Sequence, residues 1–346
     1  MVIQRAKKVT LSDVAERAGV SRTTASYILG KTRGGFAKET VERVSNAAKE
    51  LGFRPNPIAQ SLRTGRTRLL GLLVAAEIKS PQQYIRYQVD IGVAMEARSH
   101  RMDIVQVLIS PETGPEIGRI SELLDTGLIE GLILNAPRKR NVLPWLHDHG
   151  GVFVVIGNPN ISGVYSVDTD NVGIGRVTAQ HLIDFGHRRL AYIAPPDDLA
   201  YGNDRVEGFL MACAEAEISP EHCPVVRAED TMCGGYRAMQ EILSMDIQVT
   251  GVCASDDSMG YGAASAISEA GLTVPGDISV VGCNNDYLAG IDQGFLTTVE
   301  LDFVRLGSAA AAKLIDLLEG KPTTIRDIID FRLIQRKSSG PVKNCG

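Results

Sequence analysis

Val9-Thr10-Leu11-Ser12-Asp13-Val14-Ala15-Glu16-Arg17-Ala18-Gly19-Val20-Ser21-Arg22-Thr23-Thr24-Ala25-Ser26-Tyr27-Ile28-Leu29 reads as two short helices joined by a tight turn. Thr10 stands three residues before Asp13, the spacing of a reciprocal helix cap, and Leu11, Val14, Ala15 and Ala18 fall on one helical face. Gly19 stops that helix. The Ser21 hydroxyl can accept from the free backbone N–H groups of Thr23 or Thr24, so it starts a second helix with Ala25, Ile28 and Leu29 turned inward. The outward side then offers Arg22, Thr23, Ser26 and Tyr27 to a partner. Arginine reads guanine edges, threonine meets a thymine methyl or a phosphate, and tyrosine donates to either.

Working outward, a third helix is expected from about Lys38, burying Val41, Val44, Ala48 and Leu51 and ending at Gly52. Pro55-Asn56-Pro57 follows, with Asn56 suited to cap and Pro57 to open a helix through Ala59 and Leu62 to Arg63. That segment is too short to be stable alone, which makes it a hinge whose order depends on what holds it. Charge supports a polyanion partner. From Arg5 to Arg68 there are fourteen Lys and Arg against five acids, a balance of +9, while the whole chain is −5 and the remainder therefore −14. A basic end on an acidic body is the footprint of a nucleic-acid reader.

From Leu69 the pattern changes to apolar runs separated by helix-period segments. Strands are expected at Leu69–Ala75, Ile104–Ile109, Gly131–Leu134, Val152–Ile156, Leu190–Ala194, Val249–Ala254 and Ile278–Cys283. Such alternation implies α/β architecture with parallel sheets covered on both faces. The 278 residues from Leu69 to Gly346 exceed one typical domain, so two lobes meeting at a ligand-binding cleft are expected.

The run from Val9 to Ser21, with Glu39-Thr40, Val44, Pro55-Asn56, Ala59 and Leu62, resembles the headpiece and hinge of the lactose repressor (LacI/GalR) family of bacterial transcription factors. The resemblance continues through Asp170-Asn171, His181-Leu182, Gly186 to Arg189, Arg205 with Gly208-Phe209, Ser255 to Ala263, and Ile278 to Gly282 followed by Leu296-Thr297-Thr298. It implies a helix-turn-helix headpiece (residues 1–55), a hinge helix and linker (56–68), and a two-lobed core (69–346) like that of the periplasmic sugar-binding proteins. It also implies that Arg22, Thr23 and Tyr27 read the major groove, and Thr10, Leu11, Ser21, Thr24 and Ser26 are further candidate DNA contacts. Asn56, Ala59 and Leu62 belong to the hinge, with Leu62 placed to pry apart a base step from the minor groove. Three departures stand out: Ala37 where a capping Ser is usual, Ala25 where a Val is usual, and Gly34-Gly35 before Phe36. A less stable or more mobile headpiece is expected from them.

In the core, the resemblance places Arg205 where an Arg commonly holds the effector and Asn135 where the amino-terminal lobe contributes an amide. Asp256-Asp257 stands where Asn then Asp is usual, and Gly282-Cys283-Asn284-Asn285 where a Gly-aromatic-Asp-Asp turn is common, so acid and amide have exchanged places. Asp256, Asn284 and Arg205 are therefore candidates to bracket a polyhydroxylated ligand. The alternatives remain open: a surface ion pair for Arg205, and strand-end turn roles for Asp256 and Asn284. Ser80 and Gln83 are further effector candidates, lying where the family has Asn-Pro and aromatics. Asp230-Thr231-Met232-Cys233 lacks the usual tryptophan, and Trp145 is assigned to the core or surface of the other lobe. Fewer ring faces point to a small or very polar effector.

Six cysteines without a Cys-x-x-Cys pair or matching His spacing predict neither a zinc site nor a disulfide framework, and no cofactor or metal is expected. No apolar run reaches membrane-spanning length and residues 1–10 lack a secretory apolar core, so a cytoplasmic location without membrane contact is expected. Gly173-Ile174-Gly175 lacks the third glycine of a nucleotide loop, and the adjacent acids Asp256 and Asp257 are expected to diverge, so no enzyme is predicted. A helix-turn-helix reads few base pairs, so a homodimer on a near-palindromic double-stranded operator is the expected arrangement. The segment after Arg336 contains no leucine heptads. An effector binding between the lobes is expected to change operator affinity through the hinge, with the sign, inducer or corepressor, left open.

Overall fold

A computed structural model describes residues 9–30, 35–54, 56, 59, 61, 65–75, 83–109, 117–135, 143–286 and 294–343, with the side chains of Ala75, Gln83 and Ile109 outside that set. The chain separates into two compact units, Met1–Arg68 and Leu69–Gly346.

The first unit is all helical: α1 (Leu11–Ala18), α2 (Arg22–Leu29) and α3 (Lys38–Glu50). Caps fix where these helices begin. The Thr10 hydroxyl accepts from the Asp13 N–H while the Asp13 carboxylate accepts from the Thr10 N–H at 2.7 Å, satisfying two orphan donors reciprocally. Gly19 turns the chain with φ 63°, and the Val20 N–H donates back to the Ala15 carbonyl. Ser21 then caps α2, its Oγ accepting from the Thr24 N–H at 3.0 Å. Ala37 gives α3 no side-chain cap. Val14, Ala15, Ala18, Ala25, Val44, Ala47 and Ala48 form the core of this unit. Val41 is a correction: expected inward, it is 38 % exposed, because Val44, Ala47 and Ala48 define the buried stripe of α3. Leu51 is only partly buried. Beyond α3, Asn56 is exposed, and Ala59 and Ser61 have helical backbone; Leu62 lies outside the described residues.

The second unit holds two six-stranded sheets. In the first, β1 (Leu69–Ala75), β2 (Asp103–Ile109), β3 (Gly131–Asn135), β4 (Phe153–Ile156), β5 (Ser166–Thr169) and β11 (Arg326–Ile329) run in the order β11-β5-β4-β3-β1-β2, all parallel. The second contains β6 (Leu190–Ala194), β7 (Val225–Arg227), β8 (Gly251–Ala254), β9 (Ser279–Asn284), β10 (Thr297–Leu301) and β12 (Phe331–Ile334), in the order β12-β10-β9-β8-β6-β7. Here only the edge strand β12 is antiparallel, against β10. All seven expected strands are present, with ends displaced by no more than two residues. The chain passes between lobes three times: after β5, after β10, and between β11 and β12.

The helices of this unit are α4 (Gln83–Ser99), α5 (Ile117–Asp125), α6 (Leu143–His149), α7 (Asn171–Asp184), α8 (Ala200–Glu215), α9 (Met232–Ser244), α10 (Asp257–Glu269) and α11 (Phe303–Leu318). Three helix pairs dock through reciprocal glycines. A Cβ on Gly92 of α4 would lie 2.0 Å from the Val304 carbonyl oxygen, and one on Gly307 of α11 would lie 2.1 Å from that of Val89. The same exchange joins α7 to α8, where Gly175 faces the Arg205 carbonyl and Gly208 that of Val172, and α9 to α10 through Gly235 and Gly262. Backbones approach this closely only where no side chain intervenes. The consequence for function is that α7 and α8 hold their facing residues in fixed register.

Candidate functional site

In the helical unit, Ala25 is the buried residue of α2, and the sequence-predicted contacts lie around it. Ser21, Arg22, Thr23 and Tyr27 are exposed, Thr24 and Ser26 half-buried, and Tyr27 leaves 48 % of its surface to solvent. Core packing does not account for a tyrosine left this exposed. On α1, Thr10 is exposed and Leu11 half-buried at the helix N-terminus, where free N–H groups suit a phosphate. Together these side chains present donors, a guanidinium and a ring on one short helix and the start of its neighbour.

The core site is built at the carboxyl ends of the strands. Ser255 and Asp256 directly follow β8, Asn284 ends β9, and Asn135 ends β3. Asp256 is 2 % exposed and caps α10, its Oδ1 accepting from the Ser258 N–H at 2.7 Å. Its Oδ2 accepts from Asn284 Nδ2 at 2.6 Å. Asn284 is 7 % exposed and its backbone lies at φ 99°, a region a non-glycine residue enters only when its surroundings over-determine it. The acid and amide that exchanged places in sequence are thus bonded to each other. Burial, and then the neighbouring Asp230, Asp257 and Asp286, hold the Asp256 carboxyl well above the usual carboxylate range.

Asp257 turns the other way. Its Oδ1 accepts from the Thr298 hydroxyl at 2.6 Å and its Oδ2 from the Asp286 N–H at 2.9 Å. Burial pushes it up to about 8. The two adjacent carboxyls therefore serve different partners, as expected of consecutive residues at a strand end.

Arg205 is 4 % exposed, which disposes of a surface ion pair. Its Nε donates to Asn171 Oδ1 at 2.9 Å and its Nη1 to the Ser255 carbonyl at 2.5 Å, one residue before Asp256. The structure thus gathers Arg205, Asp256 and Asn284 into one buried polar group. Asn135 is half-buried and hydrogen-bonds none of the three among the described residues. Ser80 and the side chain of Gln83 lie outside the described residues.

One residue of this group, Tyr201, escaped the sequence reading. The Arg205 guanidinium lies over the Tyr201 ring, 5.1 Å from its centroid, and the Tyr201 hydroxyl donates to Asp230 Oδ2 at 2.5 Å. Tyr201 precedes Arg205 by one helical turn on α8, so the i, i+4 spacing was the available signal. The ring face that Tyr201 brings to this group is covered by the Arg205 guanidinium. Trp145 packs in the amino-terminal lobe, stacked on His149 at 4.4 Å between centroids. A cavity of about 590 Å³ lies at the crossovers between lobes, lined by Gln88, Asn284, Asn285, Glu300, Leu301, Asp302, Arg305, Asp330, Phe331 and Arg332. Asn284 is the one member of the trio that reaches it. Among the described residues no cluster of His, Cys, Asp or Glu is arranged to hold a metal ion, and no helix is long and apolar enough to cross a membrane.

Known proteins resemble this chain in both of its units. Residues 10–56 match the family described as bacterial regulatory proteins, lacI family, and residues 179–339 match a periplasmic binding protein-like domain. The HTH-type transcriptional regulator CelR of Thermobifida fusca is 31 % identical over 344 residues, covering 97 % of this chain and all of that protein. The HTH-type transcriptional repressor PurR of Edwardsiella ictaluri is 32 % identical over 335 residues, covering 95 % and 96 %. A solved complex of the transcriptional regulator CelR with cellobiose superposes with a TM-score of 0.71 at 29 % identity, covering 96 % of this chain and all of that one. With a capped helix-turn-helix, two parallel sheets and relatives alike over nearly their whole length, the chain belongs to the LacI family of bacterial regulatory proteins and is a DNA-binding transcriptional regulator.

Proposed function

We propose that this protein represses transcription from a near-palindromic operator and that a small polyhydroxylated effector, bound between the core lobes, sets its operator affinity. The observation that carries the effector reading is the buried group of Arg205, Asp256 and Asn284 at the carboxyl ends of the strands. A guanidinium donates, while an amide and a carboxyl held above the usual carboxylate range each donate and accept, which suits vicinal hydroxyls. Tyr201 adds a ring beside them. The cellobiose held by the related CelR complex is a ligand of this kind. Asn135, Ser80 and Gln83 are proposed as contacts from the other lobe. Ser21, Arg22, Thr23, Thr24, Ser26 and Tyr27, with Thr10 and Leu11, are proposed to meet the major groove, and Asn56, Ala59 and Leu62 the minor groove.

A homodimer is part of this reading. Tyr84, Tyr87 and Met95 fall along one face of α4 at 42 %, 61 % and 62 % exposure, and Leu108 on the edge strand β2 is 63 % exposed. Gln106, two residues before Leu108 and on the same face of β2, donates to Asp90 of α4 at 3.2 Å. An apolar stripe of this kind across a helix and an adjoining edge strand fits a second copy. The protein acts in the cytoplasm, where its DNA lies.

Thermal unfolding in a panel of mono- and disaccharides including cellobiose tests the effector reading. A saturable rise in the wild-type midpoint, lost in Arg205→Lys and in Asn284→Ala, is expected. A rise that survives unchanged in both variants would place the ligand elsewhere.

A further inference from the structure

A buried relay joins Arg205 to the opposite lobe. Arg205 Nε donates to Asn171 Oδ1 at 2.9 Å, Asn171 Nδ2 donates to Asp168 Oδ1 at 3.1 Å, and Arg326 Nη2 donates to Asp168 Oδ2 at 2.9 Å. Asp168, Asn171 and Arg205 are 3 %, 3 % and 4 % exposed. Arg326 lies on β11 and Asp168 on β5, both in the amino-terminal lobe, while Asn171 opens α7 and Arg205 lies on α8. The reciprocal glycines of α7 and α8, Gly175 and Gly208, set the spacing of the last two.

Chemistry admits only one reading of the relay. A guanidinium has no acceptor and a carboxylate has no donor, so the amide between them must turn its oxygen to Arg205 and its nitrogen to Asp168. The same nitrogen lies 3.4 Å from the Thr169 carbonyl, and Asp168 also accepts from the Thr169 N–H at 2.8 Å, which pins the carboxylate at the end of its strand. Resting on the reading of Arg205 as an effector contact, we infer that Asp168 and Asn171 are the positioning residues of that contact. They fix the Arg205 guanidinium and tie its placement to the amino-terminal lobe through the crossover at residues 169–171. Arg326 stands five residues before Phe331, so a displacement of Arg205 is felt at two of the three crossovers.

Electrostatics give the relay a spectroscopic handle. Asp168 faces Arg326 from β11, Asp204 from α8 and, through Asn171, Arg205; burial pushes its carboxyl up to about 6. Asp204 in turn accepts from Asn158 Nδ2 at 3.0 Å, a direct bond from the turn after β4 to α8.

The test follows the Nε–Hε signal of Arg205 by ¹H–¹⁵N NMR in the full-length, ligand-free protein, assigned by its loss in Arg205→Lys. Asp168→Ala, which contacts no atom of Arg205, is expected to shift this signal and speed its exchange with water about tenfold, the size of one lost hydrogen bond. Asp168→Asn keeps an oxygen for Thr169 and Asn171 and is expected to restore it. In the wild type the signal should move between about pH 5 and pH 7, and in Asp168→Asn it should not. A signal unmoved by Asp168→Ala, or unmoved by pH in the wild type, would overturn the inference, and the second measurement needs no destabilised variant. If the relay behaves as stated while Arg205→Lys keeps a wild-type thermal response to sugar, the reading of Arg205 as an effector contact fails alone.

Discussion

Gly175→Ala is the substitution whose outcome depends most on the packing described above. In an isolated helix the change from glycine to alanine stabilises by roughly 0.5–1 kcal/mol. Here a Cβ at residue 175 would lie 1.8 Å from the Arg205 carbonyl oxygen, against the 3.4 Å at which ordinary contact begins, so α7 and α8 must part by about 1.6 Å. That retreat carries the 2.9 Å bond from Arg205 to Asn171 beyond hydrogen-bond reach. Overpacking costs roughly 1–3 kcal/mol and the loss of a bond to a charged group roughly 1.5–3 kcal/mol. The net, about 1.5–5.5 kcal/mol after the helix gain is subtracted, lowers the unfolding midpoint of the core by up to about 10 °C and should abolish the proposed sugar binding. Gly118→Ala on α5 is the control: nothing lies within 4 Å of its Cβ, and it should match the wild type or exceed it by up to about 1 kcal/mol. Calorimetry of both variants decides the matter. A Gly175→Ala protein as stable as Gly118→Ala, with sugar binding intact, would refute the argument that reciprocal glycines position Arg205.

Other outcomes follow from single features. Ala37→Ser supplies the cap α3 lacks and should stabilise the isolated headpiece transition by about 1 kcal/mol in urea unfolding; no gain would mean residue 37 does not have capping geometry. Asp257, held near 8 by burial against an ordinary 3.8, keeps a proton in the folded state that the unfolded chain has released. Its contribution to stability is therefore present below about pH 4 and lost as pH rises through about 8. Asparagine at 257 can accept from the Asp286 N–H and donate to Thr298, so Asp257→Asn should flatten the fall in stability between about pH 5 and pH 8; an unchanged slope counts against a buried proton there. Tyr87→Lys on the exposed stripe of α4 should shift the sedimentation equilibrium toward monomer by at least about tenfold, whereas an unaltered dimer would move the interface elsewhere.

Much of the fold was legible because its signals are local. Thr10, Ser21 and Gly19 mark helix ends by side-chain and backbone chemistry that acts over four residues, and each stands where the reading put it. The long apolar runs of β1, β6 and β9 are strands buried on both faces and carry their own signature. β5, β7, β10, β11 and β12 were not read: four of them span only three or four residues, and β7, β11 and β12 are edge strands held by a single neighbour. Val41 misled because an apolar residue in a three-helix unit this small has two faces to choose from, and the tighter alanine stripe took the core.

The site was half legible. Arg205 and Asp256 could be placed by resemblance, yet that Asp256 bonds Asn284 across two strands, or that Asp168 reaches Arg205 through Asn171, are facts of tertiary contact over separations of 28 and 34 residues. Tyr201 lay in plain sight one turn before Arg205. Its role depends on the ring turning under the guanidinium, which spacing permits and only packing decides.

The most direct test is of DNA reading itself. Purified full-length protein is mixed with a pool of random duplexes, and those retained are sequenced across a salt series. Enrichment of a short near-palindrome with a central pyrimidine–purine step is expected, lost in Arg22→Ala, with affinity falling by a log–log salt slope of about −0.9 for each phosphate neutralised. Retention without enrichment, unaltered by Arg22→Ala and flat in salt, would contradict the account.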